Sequence, residues 1–188
     1  LLGAPAVHAS ILLHGSFAKT YRGHGTDKAL IAGIMGMNTD DERIRFAPDL
    51  AVKEGLEVEI TTGEIDGAHP NTALITLTDA NNRTVSLQGS SIGGGNILVT
   101  KVNGMDVSIT GQYTTLIVLH RDAPGTIASV TEEVAQTGAN ICNFRLSRNE
   151  KGGEAVMTIE LEGTIDPDLN DRIQKLDNIY SSTMLKPI

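Results

Sequence analysis

The strongest constraint on the fold is a switch of hydrophobic period that recurs in a fixed order from Leu116 to the end of the chain. Leu116–His120 is an apolar, strand-like run, followed by the turn Arg121-Asp122-Ala123-Pro124-Gly125. In the next stretch Ile127, Val130 and Val134 fall at i, i+3 and i+7, one face of a helix, and Gly138 is a natural C-terminal stop. From Asn140 the period drops to two: Cys142, Phe144 and Leu146 alternate with Asn143, Arg145 and Ser147, so Cys142 reads as a half-buried strand thiol. A hairpin turn spans residues 149–154, and Met157, Ile159 and Leu161 then alternate with Thr158, Glu160 and Glu162. Residues 165–176 are a short helix, with Asp166 as N-cap, Pro167 in the first turn, and Leu169, Ile173 and Leu176 as its apolar face. Residues 178–188 close as a strand. The order βαββαβ predicts a ferredoxin-like layer of four antiparallel strands with two helices on one face, and an α+β class for the chain.

The first part, residues 1–113, is organised differently. Residues 8–21 are expected as a strand, with Ile11 and Leu13 facing away from Leu12 and His14. Gly23 and Gly25 flank His24 in a tight loop. Thr26 or Asp27 can cap a helix carrying Ala29, Leu30, Ile34 and Met37. A loop and short helix ending at Gly55 follow, and residues 56–64, 72–79, 84–94 and 96–105 read as strands.

Composition narrows the function. The 188-residue chain carries a net charge of −8, which argues against a nucleic acid or an anionic membrane as partner. No apolar run approaches the roughly 20 residues of a membrane span. The N-terminus has no signal-peptide pattern, and a cytoplasmic location is expected. The single cysteine, Cys142, can form no internal disulfide and cannot by itself hold an iron–sulfur cluster or a zinc, so no metal site is expected in this chain.

Three stretches of the first part can carry chemistry. In Gly23-His24-Gly25-Thr26-Asp27 the glycines allow close backbone approach, and His24 can act as an acid or base or simply cap local backbone. His69 precedes Pro70 in a rigid turn. Gly93, Gly94 and Gly95 either form a structural turn or present N–H groups to an anion. The last lacks the Lys-Ser/Thr of a phosphate-binding loop and the spacing of a dinucleotide fingerprint, which excludes a nucleotide site of either kind.

Residues 114–188 resemble the ACT domain, a small amino-acid-sensing module, through "LHRDAPGTI", "TGANI" and the βαββαβ order. The resemblance implies a ligand at a dimer interface, with His120 and Asp122 at the strand end, Gly125 beside them and Asn140 opposite. An acidic or amide side chain suits the ammonium of an amino acid, and imidazole and amide donors suit its carboxylate. Serine-binding relatives carry Asn where this chain has Asp122, which favours an ammonium at that position. A ligand-free ACT domain used only for dimerisation is the alternative, in which Asp122 caps the helix and Pro124-Gly125 shape the turn.

With "YRGHGTDKALIAGIM", "HPNTALITLTD" and "SIGGGNI" in this order before an ACT domain, nearly the whole chain is similar to the beta subunit of bacterial iron–sulfur-dependent L-serine dehydratase, which turns L-serine into pyruvate and ammonia. The resemblance implies two domains: an allosteric-substrate-binding-like domain over 1–113 and the ACT domain over 114–188. It implies an alpha subunit as partner, holding the iron–sulfur cluster, with none bound by this chain. It also implies L-serine or a related amino acid as ligand and a homodimer through the ACT domain. His24 becomes a candidate for substrate binding or proton transfer, and Asp27 with Gly93–Gly95 a candidate surface facing the alpha subunit. Family beta chains begin with a Ser-Ser-Ser-His-Thr stretch ahead of the first strand. This sequence starts after it and without Met, so a fragment inactive on its own is expected. Two other classes remain open: a stand-alone amino-acid-binding regulator, and a fragment of an ACT-containing dehydrogenase.

Overall fold

The computed structural model describes residues 1–187; Ile188, the last residue of the expected closing strand, lies outside them. The chain forms two compact units, one over Leu2–Ile92 and one from Gly93 onward.

In the first unit, β1 (Ala6–Leu13) leads into α1 (Gly15–His24) and α2 (Thr26–Ile34). A 3-10 turn (Glu42–Phe46) and α3 (Ala47–Lys53) follow, then β2 (Glu57–Thr62), β3 (Thr72–Asp79) and β4 (Thr84–Gly93). The strands lie in the order β2-β1-β3-β4. β1 is parallel to β2 and antiparallel to β3. The period-2 pattern of β1 sends Ala9, Ile11 and Leu13 into a core shared with Ile31, Ala32, Ala47, Ala51, Leu56 and Ala73.

Three expectations for this unit are corrected. Residues 8–21 do not form one strand: β1 stops at Leu13 and residues 15–24 are helical. The chain turns at Gly15, whose φ is +59°, and the Pro70 carbonyl accepts the N–H groups of Ser16 (2.7 Å) and Phe17 (3.4 Å). The helix start is thus supplied by a residue 55 positions away, which no local pattern reveals. Neither Thr26 nor Asp27 caps α2: Gly25, at φ +70°, is the N-cap, and the Asp27 carboxylate accepts only the N–H of Lys28. The buried face of α2 is Ile31 and Ala32 rather than Ala29, which is exposed.

In the second unit, β5 (Asn96–Val102) and β6 (Met105–Ile109) make a hairpin turning at Asn103-Gly104, both at positive φ as such a turn requires. Then come β7 (Thr114–Arg121), α4 (Thr126–Gln136), β8 (Asn140–Arg148), β9 (Glu154–Glu162), α5 (Leu169–Gln174) and β10 (Ile179–Leu185). The four strands from β7 onward lie in the order β10-β7-β9-β8, every neighbour antiparallel, which is the ferredoxin-like layer the sequence pattern predicts. Leu116, Val118, Met157, Ile159 and Leu161 meet Val130 and Val134 of α4 and Leu169 and Ile173 of α5. Ile117, Leu119 and Val156 are buried on the opposite face. The β5–β6 hairpin lies close to β8 and β9, tied by Ser147 donating to the Asp106 carbonyl and Asn103 donating to Glu154.

Three details differ from the pattern. Ile127 is 40% exposed, and Thr126 is buried at the start of α4 in its place. A bulge at Cys142 lets Ile141, Phe144 and Leu146 share the helix-facing side, opposite Leu161, Ile159 and Met157, and leaves Cys142 exposed. α5 begins at Leu169, later than expected; Asp166 still accepts the N–H of Asp168 (3.0 Å) and the Arg172 guanidinium (2.8 Å).

Candidate functional site

At the end of β7 the His120 imidazole is 1% exposed. Its Nδ1 donates to the Arg121 carbonyl at 2.7 Å, and Nε2 is buried with no partner. Two residues further along, the chain has left β7. The Asp122 N–H donates to the Gly153 carbonyl (2.8 Å), and its carboxylate Oδ2 accepts from Arg148 Nη1 (2.6 Å) and from the Gly152 N–H (3.0 Å). The Gly152 N–H first, then the Arg148 side chain, hold the Asp122 carboxyl below the usual aspartate value. Asp122 thus latches the β7–α4 turn to the β8–β9 hairpin, and it does not cap α4. The N-cap is Gly125 at φ +86°, a conformation glycine adopts without strain.

Asn140 lies elsewhere. It opens β8 opposite Glu162, whereas the His120 end of β7 is aligned with Ala155 and Glu154. Within one chain, His120, Asp122 and Gly125 are gathered at one end of the sheet and Asn140 stands at the other.

In the first unit His14 follows β1 and is 9% exposed. Its Nδ1 accepts the Ile65 N–H (3.1 Å) and lies 3.2 Å from the Glu64 carboxylate, while the His14 backbone N–H donates to the Thr72 carbonyl. Pro70 is pressed against Gly15 so closely that a Cβ there would meet the Pro70 oxygen at 2.5 Å. His69 Nδ1 accepts the Asn71 N–H (3.2 Å), and Thr72 Oγ1 donates to the His69 carbonyl (2.6 Å). His24 ends α1 with an exposed imidazole, and Asp27 is half-buried in the first turn of α2. Gly93, Gly94 and Gly95 all have positive φ (+94°, +63° and +81°), with Gly94-Gly95 as the central pair of a tight turn. Asn96 Nδ2 donates back to the Gly93 carbonyl (3.1 Å).

Sequence reasoning passed over His14, Arg148 and Gly152. His14 was legible only as one alternating position of a strand. Arg148 ends a strand just before a glycine-bearing turn, which is the one local hint that it reaches across to another loop.

The donor set of this chain does not fit an iron–sulfur cluster. Cys142 is its one cysteine, and no group of three or more His, Cys, Asp or Glu side chains among the described residues is placed to hold a metal. The Cys142 thiol donates to the Glu160 carbonyl (3.2 Å). Desolvation first, then the Glu162 and Glu160 carboxylates, raise its pKa, so the reactive thiolate is scarce at neutral pH. No helix among the described residues is long and apolar enough to cross a membrane.

Strand order and connectivity define an α+β protein whose second unit carries a ferredoxin-like layer of the ACT type. No family model matches the chain. It is 38% identical to the probable L-serine dehydratase beta chain of Bacillus subtilis over 185 residues, 98% of this chain and 84% of that one. It is 34% identical to the L-serine dehydratase beta chain of Peptoniphilus asaccharolyticus over 162 residues, 86% of this chain and 73% of that one. The chain belongs to the L-serine dehydratase beta-chain family. It is also 28% identical, over 150 residues, to the D-3-phosphoglycerate dehydrogenase of Methanocaldococcus jannaschii, 80% of this chain but 26% of that enzyme. Among solved structures, the ACT domain of the GTP pyrophosphokinase of Chlorobium tepidum matches with a TM-score of 0.30 and 16% identity, covering 38% of this chain and 95% of that one.

Proposed function

We propose that this chain is the regulatory, non-cluster beta subunit of a two-chain L-serine ammonia-lyase, with residues 1–113 as a substrate-binding-like domain and 114–188 as an ACT sensor. The observation that carries the reading is identity to two L-serine dehydratase beta chains over most of the length of both partners. An alpha chain supplies the iron–sulfur cluster, and the beta chain alone does not turn over serine. His24, with its exposed imidazole, binds substrate or moves a proton at the alpha-chain surface. Asp27 and the Gly93–Gly95 turn face that surface as well.

In this reading the ACT unit is a homodimer that binds L-serine or a related amino acid. β8 is an edge strand, with Phe144 and Leu146 each 37% exposed on its helix-facing side. Pairing two β8 edges across a two-fold axis is necessarily antiparallel. It brings Asn140 of one copy beside the Arg148 end of the other, and so toward Asp122 and His120. The four ligand residues, split between the two ends of one sheet, are reunited by the dimer, and ligand binding is then coupled to dimerisation.

The test is isothermal titration of the chain with L-serine, D-serine and glycine, with Asp122→Ala as control. Stereospecific binding lost in the variant supports the sensor. No binding by a folded dimer leaves the ACT unit as an assembly scaffold. Reconstitution with an alpha chain addresses the enzyme: His24→Ala is expected to lower serine turnover by at least about a hundredfold if the imidazole moves the proton. Unchanged turnover removes His24 from the site.

A further inference from the structure

The Asp122–Arg148 pair has unused capacity on both sides. Asp122 Oδ2 takes both the Arg148 Nη1 and the Gly152 N–H, and Oδ1 has no partner among the described residues. Arg148 spends only Nη1; Nε and Nη2 have no partner among the described residues, and the side chain is 52% exposed against 21% for Asp122. The pair borders an open cleft of about 480 Å³ lined by Asp122, Ala123, Pro124, Arg148, Lys151 and Gly152. That volume lies within the range of small-ligand sites, roughly 300–1,000 Å³. The cleft therefore offers an anionic acceptor, a forked cationic donor and a second cation, Lys151, side by side on an apolar floor.

We propose that this pair is a clamp for the zwitterionic head of an α-amino acid, with Asp122 Oδ1 accepting the ammonium and the free guanidinium N–H groups of Arg148 donating to the carboxylate. The proposal rests on the amino-acid-sensing reading above and assigns Arg148 and Lys151 to it. A zwitterion matches the cleft because its two charges are as close together as those of the pair. The ligand extends the existing ion pair without breaking it, so no buried charge is left alone on either side. Arginine suits the role better than lysine, because its planar fork holds a carboxylate and a neighbouring aspartate at once. The amino acid also ties the β7–α4 turn to the β8–β9 hairpin more firmly, which gives binding a structural readout at that end of the ACT sheet.

The experiment separates the two charges. The full chain is titrated with L-serine, with L-serinamide, which keeps the ammonium and lacks the carboxylate, and with L-lactate, which keeps the carboxylate and lacks the ammonium. Arg148→Gln is expected to weaken L-serine by about tenfold or more and L-lactate likewise, leaving L-serinamide unchanged. Asp122→Asn is expected to do the reverse: weaker L-serine and L-serinamide, unchanged L-lactate. Arg148→Lys, which keeps the charge beside Asp122 and loses the fork, falls between wild type and Arg148→Gln for L-serine, and it carries the test if Arg148→Gln does not fold. If L-serine binds wild type and all three variants alike, the clamp is wrong and sensing belongs to other residues. Equal binding of L-lactate and L-serine to wild type makes the cleft a plain anion site and also overturns the clamp. If wild type binds no L-serine, the sensing reading falls and the clamp falls with it.

Discussion

The two units contain the same device, put to opposite uses. Each has a buried histidine near the end of a strand, then a glycine at positive φ and a helix: His14 and Gly15 where β1 passes into α1, His120 and Gly125 where β7 passes into α4. In the first, the turn closes on partners within the same unit. The Ile65 N–H meets His14 Nδ1, the Pro70 carbonyl closes the start of α1, and Gly15 leaves no room for a methyl group. In the second, His120 Nε2 and the Thr126 hydroxyl are buried without partners, Asp122 and Arg148 keep free atoms, and nothing lies within 4 Å of where a Cβ on Gly125 would be. A turn that satisfies its own polar groups is a structural corner; one that leaves buried polar groups open has the unmet donors and acceptors that the sensor proposed above requires.

The largest expected effect tests that contrast directly. Gly15→Ala must hold a left-handed backbone and drive a methyl group into the Pro70 carbonyl. Together these cost about 3 kcal/mol, a large fraction of the roughly 5–15 kcal/mol that stabilises a domain. Gly125→Ala pays only the backbone term, about 1–2 kcal/mol. Urea unfolding followed by circular dichroism measures both. Equal losses at the two sites would show that the first turn is no tighter than the second.

How much was legible in the sequence follows the same line. The ACT half reads well because its elements are local: two periods, 3.6 and 2, alternate in order, and the hairpin turns carry their own glycines. The bulge at Cys142 was not legible, since a one-residue insertion leaves the alternation on either side intact. The first half read poorly at α1, because that helix is started by the distant Pro70 carbonyl and its own sequence contains no cap. The candidate ligand residues His120, Asp122 and Gly125 came from the likeness of this turn to that of ACT domains. Their partner Arg148 lies 26 residues beyond Asp122 and is joined to it only by the folding of the sheet.

A second, smaller effect sharpens the comparison at the sheet edges. Phe144→Glu places a charge on the helix-facing side of β8, where Phe144 is 37% exposed. The monomer's own stability is expected to fall by about 1–2 kcal/mol, the part-burial of one aromatic ring, which leaves the unit folded. In the homodimer proposed above, the two copies of the ACT unit should in contrast separate, with the sedimentation coefficient falling to that of a single chain. The same charge added at Val52 of α3, 77% exposed in the first unit, should leave the sedimentation coefficient unchanged. Loss of the dimer from both changes would mean that assembly is not specific to β8.

The smallest effect concerns acid. Asp79 and Asp122 both have carboxyls held below the ordinary aspartate value, for different reasons. At Asp79 burial pushes the value up, and hydrogen bonds from the Arg83 N–H and side chain and from the Asn81 N–H outweigh it. At Asp122 the hydrogen bonds from the Gly152 N–H and Arg148 lower it against a smaller, opposing desolvation. A depressed folded-state value means that each carboxylate contributes stability fully above the unfolded value of about 3.9, and loses it as pH falls through its own lower value. The Asp79 turn is sealed, with the side chain 1% exposed, so its protonation is expected to loosen β3–β4 together with the first unit's own unfolding. The Asp122 latch is partly open to solvent, so protonation should free the Gly152 amide locally while the ACT sheet stays folded. Amide hydrogen exchange across pH 2–5 distinguishes the two: early exchange at Gly152, ahead of the strands around it, is expected of a turn that can open to admit a ligand, and exchange in step with β7 and β9 would make it as rigid a corner as the one at Gly15.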